Sequence, residues 1–408
     1  MPLKKSPIAS LGAALVVFVL FWVTLFIPSD VYSTVKSQSY GDYAPLENTS
    51  SNKVTVASEE ESLKSHSDQI SFTRQYYHNP DDDYTKISFT NQKTVIDSEQ
   101  EQKTLLILSS IVDDTAYGEH RTFDDFFNNI FSFNYARNVV SLGILIGSEK
   151  EFKIVDEYFQ KYFSLLNDLS TSNDVHKKII KKFVNKVTLI TAPFIERGFE
   201  IERGDRHEDS VQRQRRRTIA RSRNFILMNS LRDERYTLFL DSDIIDIKQK
   251  DMINIFIESG KDIIVPRVIM DWNNDYDKNS WRGERTVPNE EQLEKMDKND
   301  WDNFHYVPNN IGDKMYHLSH SLLLDDPETN DLKYSVPLDS VGGAILFSKS
   351  VIFRQGIVFP TFYLIGTTWN RFEGYDGIET EGLCYSARTL GYSCWGYPNM
   401  VAEHVRGS

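Results

Sequence analysis

Residues 236–245 read YTLFLDSDII, a run of strand-forming residues followed by two aspartates, Asp241 and Asp243. An unbroken run of apolar, aromatic and β-branched residues predicts a buried strand. Four similar runs are TLLILSSIV (104–112), VVSLGILIG (139–147), KVTLIT (186–191) and DIIVPRV (262–268). Helical patterns alternate with them, near 122–133, 149–166 and 212–230. Apolar strands that alternate with helices predict an α/β fold with a mostly parallel central sheet.

The second half of the chain is less regular. Beyond residue 270 it is rich in Asn, Asp and Trp, and a strand pattern returns at 344–348, with a helical pattern near 379–390. We interpret residues 103–408 as one domain with an elaborated second half, rather than as two independent folds.

The N-terminal part predicts membrane attachment. Residues 8–27 carry no charge, and as a helix at ~1.5 Å per residue they would span roughly 30 Å, the hydrocarbon thickness of a bilayer. A basic flank before them predicts a cytosolic tail at 1–7, a signal-anchor helix, and a lumenal remainder, which is single-pass type II topology. Residues 28–102 are polar and predict a lumenal stem; they contain the glycosylation sequon at Asn48.

Composition limits the class of protein. The chain has 408 residues and a net charge of −13, which argues against a nucleic-acid-binding role because phosphate binding needs clustered positive charge. The two cysteines, Cys384 and Cys394, are too few for a disulfide scaffold or a Cys-rich zinc module. They could form one disulfide or remain two small buried thiols.

The first chemical candidate is the pair Asp241 and Asp243. Ligands of open α/β sheets bind beyond the carboxyl ends of the strands, where these aspartates emerge. Two carboxylates one residue apart can both reach a hard divalent cation that also holds a diphosphate. Alternatively, Asp243 caps the following segment and Asp241 is a solvated strand end.

The second candidate is a run of arginines on the predicted helix 212–230. Its members are Arg213, Arg215, Arg216, Arg217, Arg221 and Arg223. A dense guanidinium patch on an acidic protein indicates an anionic ligand. Alternatively, the run is a solvated helix face paired with nearby acids, such as Glu200, Glu202, Glu208 and Asp209.

Three weaker features lie in the second half. Asp339 begins the segment DSVGG (339–343), whose paired glycines permit a close backbone approach. Glu379 and Glu381 open a predicted helix, where carboxylates also stabilise the helix dipole. His404 lies close to the C-terminus and could be a ligand or an ordinary core residue.

Together, these motifs resemble the fungal Golgi mannan-polymerase family of α-mannosyltransferases. The resemblance covers roughly residues 194–406. It rests on the arginine-rich helix segment, LFLDSDII, YDKNSW (276–281), DSVGGAILFSKSVIFRQGIVFP, IETEGLCYSARTLGY and the closing GYPNMVAEH.

The resemblance implies a nucleotide-sugar transferase of the GT-A fold in the Golgi membrane, with GDP-mannose as donor and Mn²⁺ as cofactor. It implies that Asp241 and Asp243 contact the metal and the donor's ribose and diphosphate, with His404 as a further metal ligand. It also implies that Arg215 and Arg216 face the diphosphate. Homologous mannosyltransferase subunits would be its partners in a complex.

The same resemblance implies that Asp277 and Asp339 lie near the mannosyl or acceptor groups, and that Glu379 and Glu381 contact acceptor hydroxyls. The expected reaction is a retaining transfer to α-mannan or an N-glycan, through an α-1,6 or α-1,2 linkage. Three alternatives remain: a non-catalytic scaffold subunit, a retaining transferase that uses another nucleotide sugar, and a lumenal sugar-binding module.

Overall fold

A computed structural model describes residues 71–169, 172–196, 208–271, 274–285, 287–298, 300, 315–323 and 331–406. The predicted cytosolic tail, the signal-anchor helix and the sequon at Asn48 lie outside these residues. Within the described ranges, no helix combines the length and the apolar character that crossing a bilayer requires.

One large mixed sheet is the frame of the fold. Its order is β1-β2-β5-β4-β3-β6-β13-β8-β14-β12, and β7 and β9 pair with β14 and β8. The strands are β1 Phe72–Asn79, β2 Tyr84–Asn91, β3 Leu105–Ile111, β4 Val140–Ile146, β5 Lys186–Thr191, β6 Tyr236–Leu240, β7 Ile244–Ile247, β8 Ile263–Asp271, β9 Asn274–Asp275, β12 Val336–Leu338, β13 Ile345–Lys349 and β14 Cys394–His404. A separate antiparallel pair consists of β10 Trp281–Gly283 and β11 Met315–His317.

The strand directions explain where a site can form. β3, β4, β5 and β6 pair in parallel, and β8 pairs in parallel with β14. Because β13 is antiparallel to both β6 and β8, these six strands all point the same way. The mostly parallel sheet predicted for the centre is present, and the carboxyl ends of the six strands share one edge.

The prediction that the polar stem extends as far as residue 102 is wrong for its C-terminal part. β1 and β2 pair with each other, and β2 pairs with β5, so this part of the folded domain begins about thirty residues before the predicted boundary at 103. β2 buries Ile87 and Phe89, and the polar residues between and beside them are half-buried; this alternation is typical of a strand with one covered face. Its Thr, Lys and Ser residues give the segment the polar composition of a stem.

The helices cover the sheet. They are α1 Ser98–Glu101, α2 Phe123–Ile130, α3 Glu149–Ser164, α4 Asp174–Ile180, α5 Asp209–Ser230, α6 Met252–Ser259, α7 Glu290–Lys298, α8 Ser350–Arg354 and α9 Thr380–Arg388. α5 packs across β3, β4 and β5. Its residues Ala220, Ile226 and Leu227 are buried in the main core, and Arg223 is buried on the face of the helix that carries Ala220 and Leu227.

The C-terminal segment joins α9 to the last central strand. Cys384 of α9 and Cys394 of β14 form a disulfide, with their Cα atoms 5.9 Å apart. The sequence left the pairing open, and the structure confirms the disulfide. The covalent link fixes the beginning of β14, the strand that ends at His404.

Candidate active site

Asp241, Asp243 and His404 meet at the shared carboxyl edge of the sheet. Asp241 follows β6 directly, and His404 is the last residue of β14. The backbone bond from Val405 N to the Asp243 carbonyl oxygen is 2.9 Å long, and it ties the end of β14 to the loop after β6. His404 Nε2 lies 3.0 Å from Asp243 Oδ2. Residues more than 150 positions apart are therefore direct neighbours.

The His404 ring is held on two sides. Its Nδ1 donates to the Val405 carbonyl oxygen at 2.8 Å, which directs Nε2 towards Asp243. The Tyr276 ring stacks on the imidazole with centroids 3.6 Å apart and planes 15° apart. Burial works against a charged imidazole, but the hydrogen bond and the negative charge of Asp243 outweigh it and raise the pKa of His404.

A buried guanidinium, Arg223, lies among the carboxylates. Its Nη2 lies 3.2 Å from Asp241 Oδ1 and its Nε lies 2.8 Å from Glu379 Oε1. The same Nη2 donates to the Gly343 carbonyl oxygen at 3.0 Å. Burial nevertheless raises the pKa of Asp241 to about 7, because Arg223 only partly offsets the desolvation, and the charges of Asp243 and Glu379 add to it. The site therefore holds more negative charge than its own cation neutralises.

The paired glycines of DSVGG make room for two of these side chains. A Cβ on Gly342 would lie 1.4 Å from Asp277 Oδ2, and a Cβ on Gly343 would lie 2.5 Å from Arg223 Nη2. Burial raises the pKa of Asp277 to about 6, and the backbone amide of Asn279 partly opposes the increase. The close approach predicted for this turn is thus made by side chains of the site.

Glu379 has an unusual backbone. Its φ is 58° and its ψ is −130°, immediately before α9, in a region that residues other than glycine rarely adopt. Thr380 Oγ1 donates to Glu379 Oε2 at 2.8 Å. A strained non-glycine residue that places a buried carboxylate against Arg223 is typical of a functional position.

Four of the six arginines of the run form ion pairs with acids of the second half of the chain. Arg213 and Arg217 both contact Glu373, with distances of 3.2 and 2.5 Å. Arg216 Nη1 lies 2.9 Å from Glu381 Oε1. Glu200 and Glu202 lie outside the described residues.

Glu381 belongs to a second buried group, adjacent to the first. Arg285 Nε lies 2.8 Å from Asp376 Oδ2, and its Nη2 lies 3.4 Å from Glu381 Oε1. Burial raises the pKa of Asp376 to about 7, the charge of Glu381 adds to the increase, and Arg285 opposes it. Arg216 and Glu381, predicted to contact the diphosphate and the acceptor, are thus ion-paired to each other.

Arg215 differs from its neighbours on α5. Within the described part of the chain it forms no hydrogen bond and no ion pair. It is close enough to Tyr276 for its positive charge to lower the pKa of that phenol, although burial raises the pKa overall. Arg215 is therefore available to an anionic ligand next to the His404 side of the site.

Asp339 is not brought together with the other predicted residues. Its carboxylate forms an ion pair with Arg388 and accepts from the Gly283 amide at 2.8 Å. These contacts hold β10 against the turn that precedes β13, so the structure gives Asp339 a positioning role.

A cavity of about 360 Å³ lies at the same edge of the sheet, beyond β3, β4 and β5. Ser110, Val112, Gly147, Pro193 and Glu196 are among the residues that line it. Its place at the ends of parallel strands is where α/β sheets bind nucleotides.

The donor set fits a divalent cation in charge and chemistry. Asp243 Oδ1 is buried and has no hydrogen-bond partner among the described residues, and carboxylates with one imidazole are suitable ligands for Mn²⁺. However, no group of three or more acidic, His or Cys side chains is already arranged as a metal site in the described ranges. His404 Nε2 contacts Asp243 instead, so metal binding would have to replace that contact.

Sequence reasoning missed the central role of Arg223, as well as Tyr276, Arg285 and Asp376. A signal for Arg223 exists in the helix period: positions 220, 223 and 227 share one face of α5, and Ala220, Arg223 and Leu227 are all buried. No local pattern marks Arg285 or Asp376, because their pairing depends on distant segments.

The comparisons with known proteins agree with the motifs. The Anp1 family matches residues 83–363, and the chain belongs to this family. It is 26% identical over 290 residues to the mannan polymerase complex subunit mnn9 of Schizosaccharomyces pombe, a match over 70% of this chain and 77% of that protein. It is also 26% identical over 288 residues to the mannan polymerase II complex anp1 subunit of the same organism, over 69% of this chain and 60% of that protein. The resemblance to the fungal mannan-polymerase family is confirmed.

Among solved structures, the chain is similar to the mannosyltransferase PcManGT from Pyrobaculum calidifontis in complex with GDP-Man and Mn²⁺. The match has 10% identity and a TM-score of 0.35, and it covers 74% of this chain and 58% of that one. A TM-score of 0.35 is too low for an inference from it.

Proposed function

We propose that this chain is a retaining α-mannosyltransferase of the GT-A fold that transfers mannose from GDP-mannose to α-mannan on glycoproteins, with Mn²⁺ as cofactor. The observation that carries the proposal is the meeting of Asp241, Asp243 and His404 at the carboxyl edge of the sheet, in a chain of the Anp1 family. The relatives named as mannan polymerase complex subunits support mannan as the product.

The nucleotide would bind in the cavity beyond β3, β4 and β5, and its diphosphate would extend towards Asp241 and Arg215. Among the described residues, Arg215 has no acidic partner; Arg221 also has none, but its Nη2 donates to Thr218 Oγ1 at 3.3 Å. The charge of Arg215 would stabilise the negative charge that develops on the diphosphate as the glycosidic bond breaks. Arg223 would not contact the diphosphate; it would position Asp241 and Glu379 through its ion pairs with them.

Asp243, Asp241 and His404 would hold the metal. Bound there, Mn²⁺ would neutralise charge on the diphosphate leaving group. The excess negative charge around Asp241 favours a cation at this place, because each carboxylate there raises the cost of ionising the next.

The mannosyl group would lie near Asp277 and Glu379. A carboxylate close to the anomeric carbon stabilises the oxocarbenium-like transition state of glycosyl transfer. An α-linked donor that gives an α-1,6 or α-1,2 product requires retention of configuration. The chain would carry out this reaction in the Golgi lumen as a single-pass type II protein, anchored by residues 8–27. The disulfide between Cys384 and Cys394 supports an oxidising compartment.

A second candidate is a subunit that keeps the fold and assembles with active homologues without itself transferring mannose. The names of the relatives, which are subunits of complexes, favour it. The pairing of Arg216 with Glu381 also favours it, because it removes one of the two predicted diphosphate contacts.

The test is a transfer assay with the purified full-length chain. Mannose transfer from GDP-mannose to a short α-mannoside, and binding of GDP, are measured with and without Mn²⁺. The variant is Asp243→Asn, and its matched control is Asp246→Asn, three positions further on, where the side chain is partly exposed and pairs with Lys248 and Lys250.

Metal-dependent transfer that is lost in Asp243→Asn and kept in Asp246→Asn would establish the enzyme. GDP binding that needs Mn²⁺, without transfer, would favour the subunit role. Competition by UDP and not by GDP would replace GDP-mannose with another nucleotide sugar. Absence of binding to either nucleotide would contradict the enzyme.

A further inference from the structure

A second cavity, of about 240 Å³, adjoins the site on the side away from the nucleotide cavity. It lies between β8 and the 3₁₀ helix Leu318–Leu323. Asp277 belongs to its wall, and the same carboxylate lies against Gly342 in the candidate active site. A ligand in this cavity would therefore lie next to the proposed mannosyl position.

The charges of the cavity wall favour a neutral ligand. Arg267 Nε lies 2.5 Å from Asp275 Oδ1, so these two side chains neutralise each other. Of the other lining residues, Lys278 brings a positive charge and Asp277 a carboxylate. The carboxylates disfavour a phosphate, and the basic groups disfavour a second metal ion. What remains is a wall of mixed donors and acceptors, which suits a polyol.

His317 supplies a hydrogen-bond acceptor in this wall. The side chain is buried, and its Nδ1 has no hydrogen-bond partner among the described residues. The Lys278 backbone lies close enough to the ring to raise its pKa, and because Nδ1 has no partner, a neutral ring protonated on Nε2 presents Nδ1 as an acceptor. Burial lowers the pKa of His317, and the neighbouring His320 lowers it further. An acceptor that is buried without a partner is costly unless a ligand donates to it.

We propose that this cavity is the acceptor subsite, that it binds one neutral mannose ring of the acceptor chain, and that His317 Nδ1 accepts a hydrogen bond from one of its hydroxyls. The inference rests on the proposed function, which supplies the acceptor's chemistry. The Ser280 and Ser319 hydroxyls in the same wall can donate to or accept from further sugar hydroxyls. The cavity is large enough for one ring and too small for two, so the rest of the chain would extend into solvent.

The test measures sugar binding separately from transfer. α-1,6-Mannobiose is titrated into the full-length protein without donor, and GDP with Mn²⁺ is titrated in a parallel experiment. The variants are His317→Ala and His317→Asn, and the control is His78→Ala, an exposed histidine on β1 at the far edge of the sheet. In His317→Asn, the side-chain amide oxygen takes a place close to that of Nδ1. Ser319→Phe is a second variant that fills the cavity from a partly exposed position.

We expect His317→Ala to weaken mannobiose binding about tenfold, which is the loss of one buried hydrogen bond. His317→Asn should restore most of the affinity, Ser319→Phe should abolish binding, and GDP binding should stay within about twofold in all variants. In the transfer assay, the KM for the acceptor should rise in His317→Ala while the KM for the donor stays unchanged.

Two results would overturn the subsite: mannobiose binding that is equal in wild type and His317→Ala, or GDP binding by a protein that binds no mannobiose. Mannobiose binding that depends on His317, in a protein that neither binds GDP nor transfers mannose, would keep the subsite and reject the proposed function.

Discussion

The carboxylate of Asp277 occupies the space that any side chain at Gly342 would need. An ideal Cβ on residue 342 would lie 1.4 Å from Asp277 Oδ2 and 1.8 Å from its Cγ. The absence of a side chain at Gly342 thus leaves space for Asp277, an aspartate of the loop after β9. This relationship couples the DSVGG turn to the YDKNSW segment and places a carboxylate of raised pKa beside the turn.

Gly342→Ala should therefore displace Asp277. The added methyl group cannot be accommodated unless the carboxylate moves, and overpacking of this kind costs typically about 1–3 kcal/mol. We expect a lower free energy of unfolding in chemical denaturation, together with loss of mannose transfer, because the displaced carboxylate no longer faces the site.

A double-mutant cycle checks the cause. If the clash with the Asp277 side chain is responsible, Gly342→Ala should cost less free energy of unfolding in the Asp277→Ala background than in the wild-type background. Equal losses in both backgrounds would mean that the methyl group meets something other than Asp277.

The fold was largely predictable, because its central strands are continuous apolar runs. The strand YTLFL is bounded by charged and polar residues, and its end places Asp241 at the sheet edge without any tertiary information. β1 and β2 were not predicted, since their exposed faces make the segment polar on average. Two alternating apolar residues, such as the buried Ile87 and Phe89, are a weak signal for a strand in a segment that is otherwise polar.

The site was predictable only in part. Asp241 and Asp243 follow from their position after a strand, and the resemblance added His404. The roles within the arginine run could not be separated, because helix spacing groups the side chains by face but does not say which acids face them. Arg216 meets Glu381, and Arg223 meets Glu379, only because α9 folds back on α5.

Substitution of Arg223 should lower the stability of the fold, whereas substitution of Arg215 should weaken donor binding. Arg223→Met leaves the buried carboxylate of Glu379 and the partly exposed carboxylate of Asp241 without their cation, which should destabilise the fold by about 3–5 kcal/mol. Arg215→Met removes no ion pair among the described residues, so its stability should change by less than about 0.5 kcal/mol. The Kd for GDP should nevertheless rise about tenfold or more in Arg215→Met, through loss of one charge-assisted contact.

The control is Arg235→Met. Arg235 is exposed and lies at the opposite end of β6 from Asp241, so neither stability nor GDP binding should change. Denaturant unfolding and calorimetric GDP titration measure the two quantities. A stable Arg223→Met variant, or unchanged GDP binding by Arg215→Met, would contradict these roles.

Asp376 should make the stability depend on pH. Burial raises the pKa of its folded form from 3.8 to about 7, so between these values the folded protein holds a proton that the unfolded chain has lost. Its contribution to the free energy of unfolding therefore decreases as pH rises from about 4 to 7, and stays low above that. Asp376→Asn removes this titration, so its stability relative to wild type should be higher at pH 8 than at pH 5.

Other buried acids titrate in both proteins, so the informative quantity is the difference between variant and wild type at each pH. Asp81→Asn makes the same charge change at an exposed turn position and is the matched control variant. A difference between Asp376→Asn and wild type that does not change with pH would mean that Asp376 is ionised throughout this range in the folded protein.

The disulfide between Cys384 and Cys394 should stabilise the domain and, through it, the site. It closes a loop with a sequence separation of 10, for which chain entropy gives a stabilisation of about 2–3 kcal/mol. We expect Cys384→Ala/Cys394→Ala to lose about this much free energy of unfolding, and the wild type to lose a similar amount on reduction. Because β14 ends at His404, GDP binding in the presence of Mn²⁺ should weaken at temperatures where the variant is still folded.

Reductant should have no effect on the double variant, which is the internal control. Equal stability of wild type and variant would show that the rest of the packing between α9 and β14 holds the strand without the covalent link.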